Sequence, residues 1–207
     1  MHVIVTGSER GIGKAIVREL YRRGHFYYGF SRRNSVDVAD YESVRRAFDE
    51  LESCPPDALI NNAGVVELGS ILELSPEAWR YQFDVNIHGV FYCCKEYARI
   101  AKTKGGKIIN IASTSGLGPR PGRSAYAASK AAVINFSASI AEELRPYGIK
   151  VYCLAPGACA TDLRRKIYPD EDFTNMMKPE ELARFAVDIA EGGEMLDGQT
   201  IQVRCSG

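Results

Sequence analysis

The chain has 207 residues, 45% of them hydrophobic, which is enough for a substantial core in a single domain spanning residues 1–207. Its 26 lysine and arginine residues balance 26 acidic residues, and this zero formal charge argues against a nucleic-acid or anionic-membrane partner. No apolar run approaches the roughly 20 residues of a membrane-spanning helix.

The cysteines and the first residues indicate the compartment, and the histidines bear on metal binding. Cysteines occur at positions 54, 93, 94, 153, 159 and 205 without C-x-x-C spacing, as expected for a reduced cytoplasmic protein. The first residues enter a strand pattern directly, so we expect no signal peptide. His2, His25 and His88 lack metal-ligand spacing, and no metal site is predicted.

Short apolar runs alternate with longer helical patterns along the chain. Strands are predicted at residues 3–6, 26–30, 58–60, 107–111, 150–155 and 200–203, with a minimal extended segment at 36–38. Helices are predicted at residues 12–23, 41–52, 75–102, 125–144 and 179–190. Because the strand runs are rich in valine and isoleucine rather than alternating, we predict an α/β fold with a parallel, doubly wound sheet buried on both faces.

A glycine-rich turn, T-G-S-E-R-G-I-G over residues 6–13, joins the first predicted strand to the first predicted helix. Glycines permit a tight turn and close approach of a pyrophosphate, and the helix start offers free N–H groups. The spacing differs from the commoner G-x-G-x-x-G fingerprint, and such a motif alone is also compatible with a plain turn. Its position between strand and helix favours a dinucleotide site.

Tyr126 and Lys130 are four residues apart, and Ser113 lies thirteen residues before the tyrosine. Four residues is one helical turn, so the two side chains share a helix face. We expect the lysine ammonium to lower the pKa of the phenol, which could then transfer a proton at neutral pH. The alternative, for this pattern alone, is an ordinary amphipathic helix with a surface lysine.

Six features, in chain order, resemble those of the short-chain dehydrogenase/reductase family. They are the glycine-rich turn, the pair Asp37-Val38, the run Asn61-Asn62-Ala63-Gly64, the helical Asn86, the set Ser113, Tyr126 and Lys130, and the P-G-x-x-x-T loop from Pro156 to Thr161. The resemblance covers nearly the whole chain. It implies a Rossmann-like fold of about seven strands and hydride transfer between a nicotinamide and a carbonyl or alcohol carbon.

The resemblance also implies residue roles. Tyr126 would donate a proton to the nascent alkoxide, Lys130 would lower the tyrosine pKa and hold the nicotinamide ribose, and Ser113 would orient the carbonyl. Asn86 would hold a water in a proton relay to the lysine. The expected cofactor-binding residues are Gly7, Arg10, Gly11, Ile12, Gly13, Ser31, Arg32, Asp37, Val38, Asn61, Ala63, Gly64, Tyr126, Lys130, Pro156, Gly157 and Thr161.

The end of the second predicted strand bears on cofactor choice. Relatives that prefer NAD carry an acid there, whereas this chain has Ser31 and Arg32. Arg32 could pair with a 2′-phosphate, and Arg10 would be a second cation beside it. We therefore expect NADP(H), with NAD(H) as the alternative; both arginines could also be simple surface charges.

Two segments are shorter than the family pattern. Little chain separates Arg32 from Asp37, so a helix is missing and the adenine side should be open. The segment between Thr161 and Pro179 is brief, so a lid over residues 163–177 should cover little of the substrate. The last residues, Gln199–Gly207, also lack the usual D-G-G ending.

Three functions remain open from the sequence. The first is an NADPH-dependent reductase of a ketone or 3-oxoacyl carbonyl, including an acyl thioester; the second is an NAD(P)-dependent alcohol or sugar dehydrogenase. The third, of another class, is an NADP(H)-sensing regulator. Substrate identity depends on loop residues such as Leu117, Gly118 and Arg123, and Cys159 is either redox-sensitive or a packed small residue. We expect a homodimer or homotetramer formed through paired long helices.

Overall fold

All six strands of the computed structural model, which describes residues 1–204, belong to one parallel sheet. The order across the sheet is β2-β1-β3-β4-β5-β6. The prediction about the C-terminal ending concerns Cys205, Ser206 and Gly207, which lie outside the described residues. The strands are β1 (His2–Thr6), β2 (Phe26–Phe30), β3 (Ala58–Asn61), β4 (Gly106–Ile111), β5 (Ile149–Pro156) and β6 (Thr200–Val203).

Seven α-helices within residues 1–204 connect and cover the strands. Capping side chains fix several of their starts: Asp40 accepts a hydrogen bond from the backbone of Glu42, and Ser75 accepts one from Ala78. The helices are α1 (Gly11–Arg22), α2 (Tyr41–Asp49), α3 (Pro76–Phe83), α4 (Gly89–Ala101), α5 (Ser124–Leu144), α6 (Asp162–Ile167) and α7 (Pro179–Glu191). No helix in this part of the chain is both long and apolar enough to cross a bilayer.

The sheet separates two hydrophobic cores. Successive side chains of a strand point to opposite faces, so Val3 and Val5 pack with α1 and α7 while Ile4 packs with α2, α4 and α5. Strand β5, which lies between β4 and β6, is buried along most of its length. Burial on both faces explains the apolar strand runs in the sequence, and the predicted doubly wound parallel sheet is confirmed.

Within residues 1–204 the sheet has six strands rather than about seven, because the segment at 36–38 forms no strand. The chain leaves β2 through a short 3-10 turn, Arg32–Asn34, and Ser35 adopts a left-handed conformation with φ 61°. Val36 and Val38 are then buried in the core beside α2 instead of pairing with β2. The sheet therefore ends at β2, on the side that the sequence predicted to be open.

The predicted helix at 75–102 is interrupted. A π-helical segment, Asp84–His88, separates α3 from α4, with Asn86 at its centre. A π turn inserts an extra residue and rotates the side chains that follow, and such turns recur at functional sites. The sequence periodicity of this region gave no sign of it.

The chain runs from β1 to β2 on one side of β1 and returns from β2 to β3 on the other side, which creates a crevice at the carboxyl ends of β1 and β3. Ligands of open α/β sheets bind at such a switch point. The glycine-rich turn after β1 and the Asn62–Gly64 run after β3 both open onto it.

Candidate active site

The glycine-rich turn is built by three glycines with different tasks. Gly7 and Gly11 have positive φ values of 65° and 52°, which favour glycine. A Cβ on Gly13 would lie 2.1 Å from the Gly7 carbonyl oxygen, so Gly13 allows the turn to close on itself. The turn delivers the chain to the N-terminus of α1, whose free N–H groups suit a phosphate.

The run after β3 is tied to the turn after β1. The Thr6 hydroxyl accepts hydrogen bonds from the backbone N–H groups of Asn62 and Ala63, both at 2.9 Å. The Asn62 amide donates to the Thr6 carbonyl at 3.0 Å. Asn61 instead points into the core, where its amide donates to Asn110 Oδ1 at 2.9 Å. Asn62, not Asn61, therefore faces the crevice.

A cavity of about 620 Å³ runs along the carboxyl ends of the strands. It joins the glycine-rich turn to the residues of β4 and α5 that were predicted to be catalytic. Gly13, Asn61 and Asn86, all within the described part of the chain, do not line it. The predicted residues that do line it are Gly7, Arg10, Gly11, Ile12, Ser31, Arg32, Asp37, Val38, Ala63, Gly64, Ser113, Tyr126, Lys130, Pro156, Gly157 and Thr161.

Lys130 is almost fully buried, at 4% exposure. Its Nζ donates to the carbonyl oxygen of Ile111, at the end of β4, at 2.8 Å and lies 6.0 Å from the centre of the Tyr126 ring. Burial disfavours the charged ammonium and lowers the pKa of Lys130 to about 8. A surface lysine on an amphipathic helix, the alternative reading of the pattern, is thus excluded.

Tyr126 is half-buried next to Ser113, whose Oγ accepts a hydrogen bond from the Ser115 backbone at 3.1 Å. Burial raises the pKa of the Tyr126 phenol, while the Ser113 hydroxyl and the positive charges of Arg123 and Arg164 act in the opposite direction. The expectation that Lys130 gives Tyr126 a lowered pKa is therefore wrong for this structure. The phenol stays protonated at neutral pH, and the charges that act on it are arginines.

Asn86 is fully buried and braces the chain after β3. Its Oδ1 accepts from the Val65 backbone at 2.8 Å, and its Nδ2 donates to the Val65 carbonyl at 2.9 Å and to Ser129 Oγ at 3.1 Å. A Cβ on Gly64 would lie 3.4 Å from Asn86 Oδ1 and 3.6 Å from Lys130 Nζ. Asn86 therefore lies beside the lysine but holds the loop rather than lining the cavity.

The brief segment after Thr161 is folded. The Thr161 hydroxyl caps α6 by accepting from the Arg164 backbone at 3.2 Å, and Arg164 forms a two-bond ion pair with Glu171 at 2.7 and 2.5 Å. This lid, residues 163–177, is anchored at its end by a β-bridge between Cys159 and Met177. Its cavity-lining residues are Leu163, Arg164, Ile167 and Tyr168, so the lid covers more of the site than its length suggested.

Comparison with known proteins agrees with this geometry. Residues 33–172 match the family model described as short chain dehydrogenase. The chain belongs to this family. As a short-chain dehydrogenase/reductase it is an NAD(P)-dependent oxidoreductase, and the resemblance inferred from its motifs is confirmed.

Individual relatives of this short-chain dehydrogenase/reductase have different substrates. It is 32% identical over 210 residues to the 3-oxoacyl-[acyl-carrier-protein] reductase FabG of Haemophilus influenzae, covering 91% of this chain and 86% of the relative. The solved structure of 4-hydroxyisoleucine dehydrogenase complexed with NADH has a TM-score of 0.86 at 25% identity, covering 98% of this chain and 96% of the other. ElxO with NADP bound has a TM-score of 0.89 at 24% identity, with the same coverage, and shares the fold.

The residues at the crevice fit a nicotinamide dinucleotide. The glycines leave the backbone of the turn open, the N-terminus of α1 faces the same cavity, and cations lie at the far end from Tyr126. Arg10 and Arg32 form no ion pair with any carboxylate in residues 1–204, whereas Arg33 lies 3.7 Å from Glu9. Arg10 and Arg32 remain available for a phosphate.

Sequence reasoning missed several residues of this short-chain dehydrogenase/reductase site. Of the loop residues expected to govern the substrate, Arg123 lines the cavity, but Leu117 and Gly118 do not. The position of Arg123, three residues before Tyr126 and at the start of the same helix, was a usable signal that it lies near the site. Arg120 gave no signal, and Arg164, Ile167 and Tyr168 were expected only as members of a lid that covers little, because their places in the cavity depend on how the lid and loops fold.

Proposed function

We propose that this enzyme is an NADPH-dependent reductase that converts a ketone or 3-oxoacyl carbonyl to an alcohol, with Tyr126 as the general acid. The observation that carries the proposal is that Tyr126, Ser113 and the buried Lys130 meet at one end of the cavity whose other end presents Arg10 and Arg32. This arrangement supports the proposal, because a candidate proton donor and candidate phosphate-binding cations share a single continuous space.

The side chains supply the acid chemistry. Since burial raises the pKa of Tyr126, the phenol carries its proton at neutral pH and can transfer it to the carbonyl oxygen. The Ser113 hydroxyl, fixed by Ser115, can donate a hydrogen bond to the same oxygen and stabilise its developing negative charge. The bound dinucleotide supplies the hydride that the carbonyl carbon receives.

Lys130 is the third member of the catalytic set, after Tyr126 and Ser113. Its ammonium is held against the Ile111 carbonyl and lies next to Gly64, so it can bind the ribose of the dinucleotide. Its lowered pKa of about 8 means that it is mostly charged at neutral pH but can release its proton with little cost.

The preference for NADP(H) over NAD(H) is supported by charge at the end of β2. Ser31 brings no negative charge there, and its Oγ accepts a hydrogen bond from the Asn34 backbone at 3.3 Å. Arg32 follows it directly, without a carboxylate partner in residues 1–204. A guanidinium in this place can pair with a 2′-phosphate, and no acid competes for it at Ser31.

We also propose a homo-oligomer that pairs α4 and α5 of two copies. Phe91 on α4 is 42% exposed and packs edge-on against Phe136 of α5 at 6.1 Å between ring centres. An exposed aromatic that bridges two helices is typical of an interface core. Light scattering of the wild type and of Phe91→Glu would test it: a shift to monomer supports the interface, and an unchanged mass contradicts it.

The function is tested by following oxidation of NADPH and NADH with a panel of carbonyls that includes an aldohexose, simple ketones and a 3-oxoacyl thioester. We expect reduction of ketones with NADPH preferred, and loss of turnover in Tyr126→Phe. Faster oxidation of alcohols or sugars with NAD⁺ would favour a dehydrogenase. Tight NADPH binding without turnover of any compound would favour a sensing protein.

A further inference from the structure

Three arginines surround the substrate end of the cavity. Arg120, Arg123 and Arg164 line it together with Tyr126. Arg164 is paired with Glu171, which occupies its N–H groups, and Arg120 donates to the carbonyl oxygens of Pro119 at 3.1 Å and Thr114 at 3.4 Å. Arg123 forms no side-chain hydrogen bond or ion pair with any of residues 1–204, although it is half-buried.

Arg123 is nevertheless held in place. Its backbone N–H donates to the Arg120 carbonyl at 3.0 Å, and a β-bridge to Gly69 pins the same turn. Its guanidinium lies 5.4 Å from the centre of the Tyr168 ring, and that of Arg164 lies 5.1 Å from the same ring. The ring of Tyr168 therefore fixes two guanidinium groups at the mouth of the substrate end, a contact of the kind that positions arginines before a ligand arrives.

The carboxylates of the cavity do not compensate this charge. Glu9 lies near Arg33 at the adenine end, and Asp37 accepts a hydrogen bond from the Ala39 backbone at 3.0 Å. Asp162, at the start of α6, forms no ion pair with Arg123. The substrate end thus carries the charges of Arg120, Arg123 and Lys130. Of these, Lys130 is directed at Ile111 and Arg120 at two carbonyl oxygens, so that Arg123 is the cation whose side-chain N–H groups have no acceptor within residues 1–204.

We propose that the substrate of this enzyme bears an anionic oxygen group, a carboxylate or a phosphate, a few bonds from the reacting carbonyl, and that Arg123 binds it. The proposal rests on the proposed reduction of a carbonyl. A guanidinium presents parallel N–H donors that match the two oxygens of a carboxylate or phosphate, so it binds and orients such a group at once. A neutral ketone or a simple thioester would leave the half-buried guanidinium of Arg123 without an anionic partner.

The test compares matched substrates. Oxo acids with the ketone at carbon 2, 3, 4 or 5 are each paired with their methyl ester, and dihydroxyacetone phosphate is paired with dihydroxyacetone. For at least one pair we expect kcat/KM to favour the anion by about 10-fold or more, the effect of one hydrogen bond to a charged group. Preference for the acids identifies a carboxylate, and preference for the phosphate identifies a phosphate.

Variants show whether Arg123 is responsible. Arg123→Gln should abolish the preference for the anion and leave NADPH affinity unchanged, Arg123→Lys should keep part of it, and Arg145→Gln, which removes a charge at the far end of α5, should keep all of it. Equal kcat/KM for anion and neutral partner in the wild type would overturn the proposal. So would an equal loss for both partners in Arg123→Gln, which would mean that Arg123 acts only through Tyr126 and does not bind the anionic group, or a loss of NADPH affinity.

A separate binding measurement distinguishes failure of this proposal from failure of the proposed function. Each acid and ester is titrated calorimetrically into the Tyr126→Phe variant loaded with NADPH, where no turnover is needed. Absence of turnover in the wild type with every carbonyl overturns the reductase function. Tighter binding of an anion than of its ester still supports the Arg123 site, and equal binding of all pairs overturns it.

Discussion

The two ends of the cavity differ in how their side chains are held. At the catalytic end, Lys130 is buried against Ile111, and Asn86 is bonded to the Val65 backbone on both sides of its amide. At the opposite end, where we propose that the adenine half of NADPH binds and which we call the adenine end, Arg10 and Arg32 are exposed and lack carboxylate partners within residues 1–204. Reaction requires groups fixed to a fraction of an ångström, whereas a phosphate can be recognised by mobile surface charges. Substitutions at the catalytic end should therefore change activity more than substitutions at the adenine end change cofactor binding.

The largest effect is expected at Tyr126. Tyr126→Phe keeps the ring and removes the hydroxyl, so the fold and NADPH binding should survive while kcat falls by roughly 10²–10⁴-fold, the contribution of a positioned acid. Stopped-flow or steady-state oxidation of NADPH measures it. Tyr147→Phe, an exposed tyrosine just after α5, is the matched control and should keep full activity. Turnover near that of the wild type in a folded Tyr126→Phe protein would remove the tyrosine from the mechanism.

The next effect links stability to catalysis at Lys130. The folded protein releases the proton of Lys130 near pH 8, whereas the unfolded chain holds it to about pH 10.5. The unfolded state thus binds more protons between these values, so the wild type gains stability as pH rises through this range. Relative to Lys130→Met, which does not titrate, the wild type should gain up to about 3 kcal/mol between pH 8 and pH 10.5.

Urea unfolding of both proteins at several pH values measures this difference. Lys130→Met should also lose activity because the buried ammonium is gone. At neutral pH we therefore expect the variant to be more stable than the wild type but inactive. Lys102→Met, a change of an exposed lysine after α4, is the control and should show no such pH dependence. A constant difference in stability between wild type and Lys130→Met across pH would show that the lysine titrates normally.

The same contrast explains what the sequence could predict. Strand runs, the glycine-rich turn and the spacing of Ser113, Tyr126 and Lys130 are local or periodic signals, and the structure places them as expected. The pKa of Tyr126 depends on burial and on Arg164 of the lid, which is 38 residues away in the sequence, so local spacing could not give its direction. The π turn at Asn86 and the missing strand at residues 36–38 likewise arise from tertiary packing.

A smaller effect is expected at the adenine end. Arg32→Ala should weaken NADPH binding by about 1.5 kcal/mol, the low end for a hydrogen bond to a charged group because Arg32 is exposed, and should change NADH binding little. Ser31→Asp should shift the preference toward NADH by repelling the 2′-phosphate. Fluorescence titration of both cofactors measures these changes, with Arg46→Ala on the exposed face of α2 as control. Equal losses for NADPH and NADH would contradict the NADP(H) assignment.

The smallest effect concerns the lid, whose side chains are held less firmly than those at the catalytic end and more firmly than those at the adenine end. Its helix α6 has only six residues, and its main internal tie is the Arg164–Glu171 ion pair, so it should open locally at little cost. Amides of residues 163–177 should therefore exchange with deuterium faster than those of α5 and become more protected when NADPH binds. Glu171→Gln should raise exchange further without affecting α5. Exchange in the free protein already as slow as in α5, and unchanged by NADPH, would show that the lid is a fixed part of the fold.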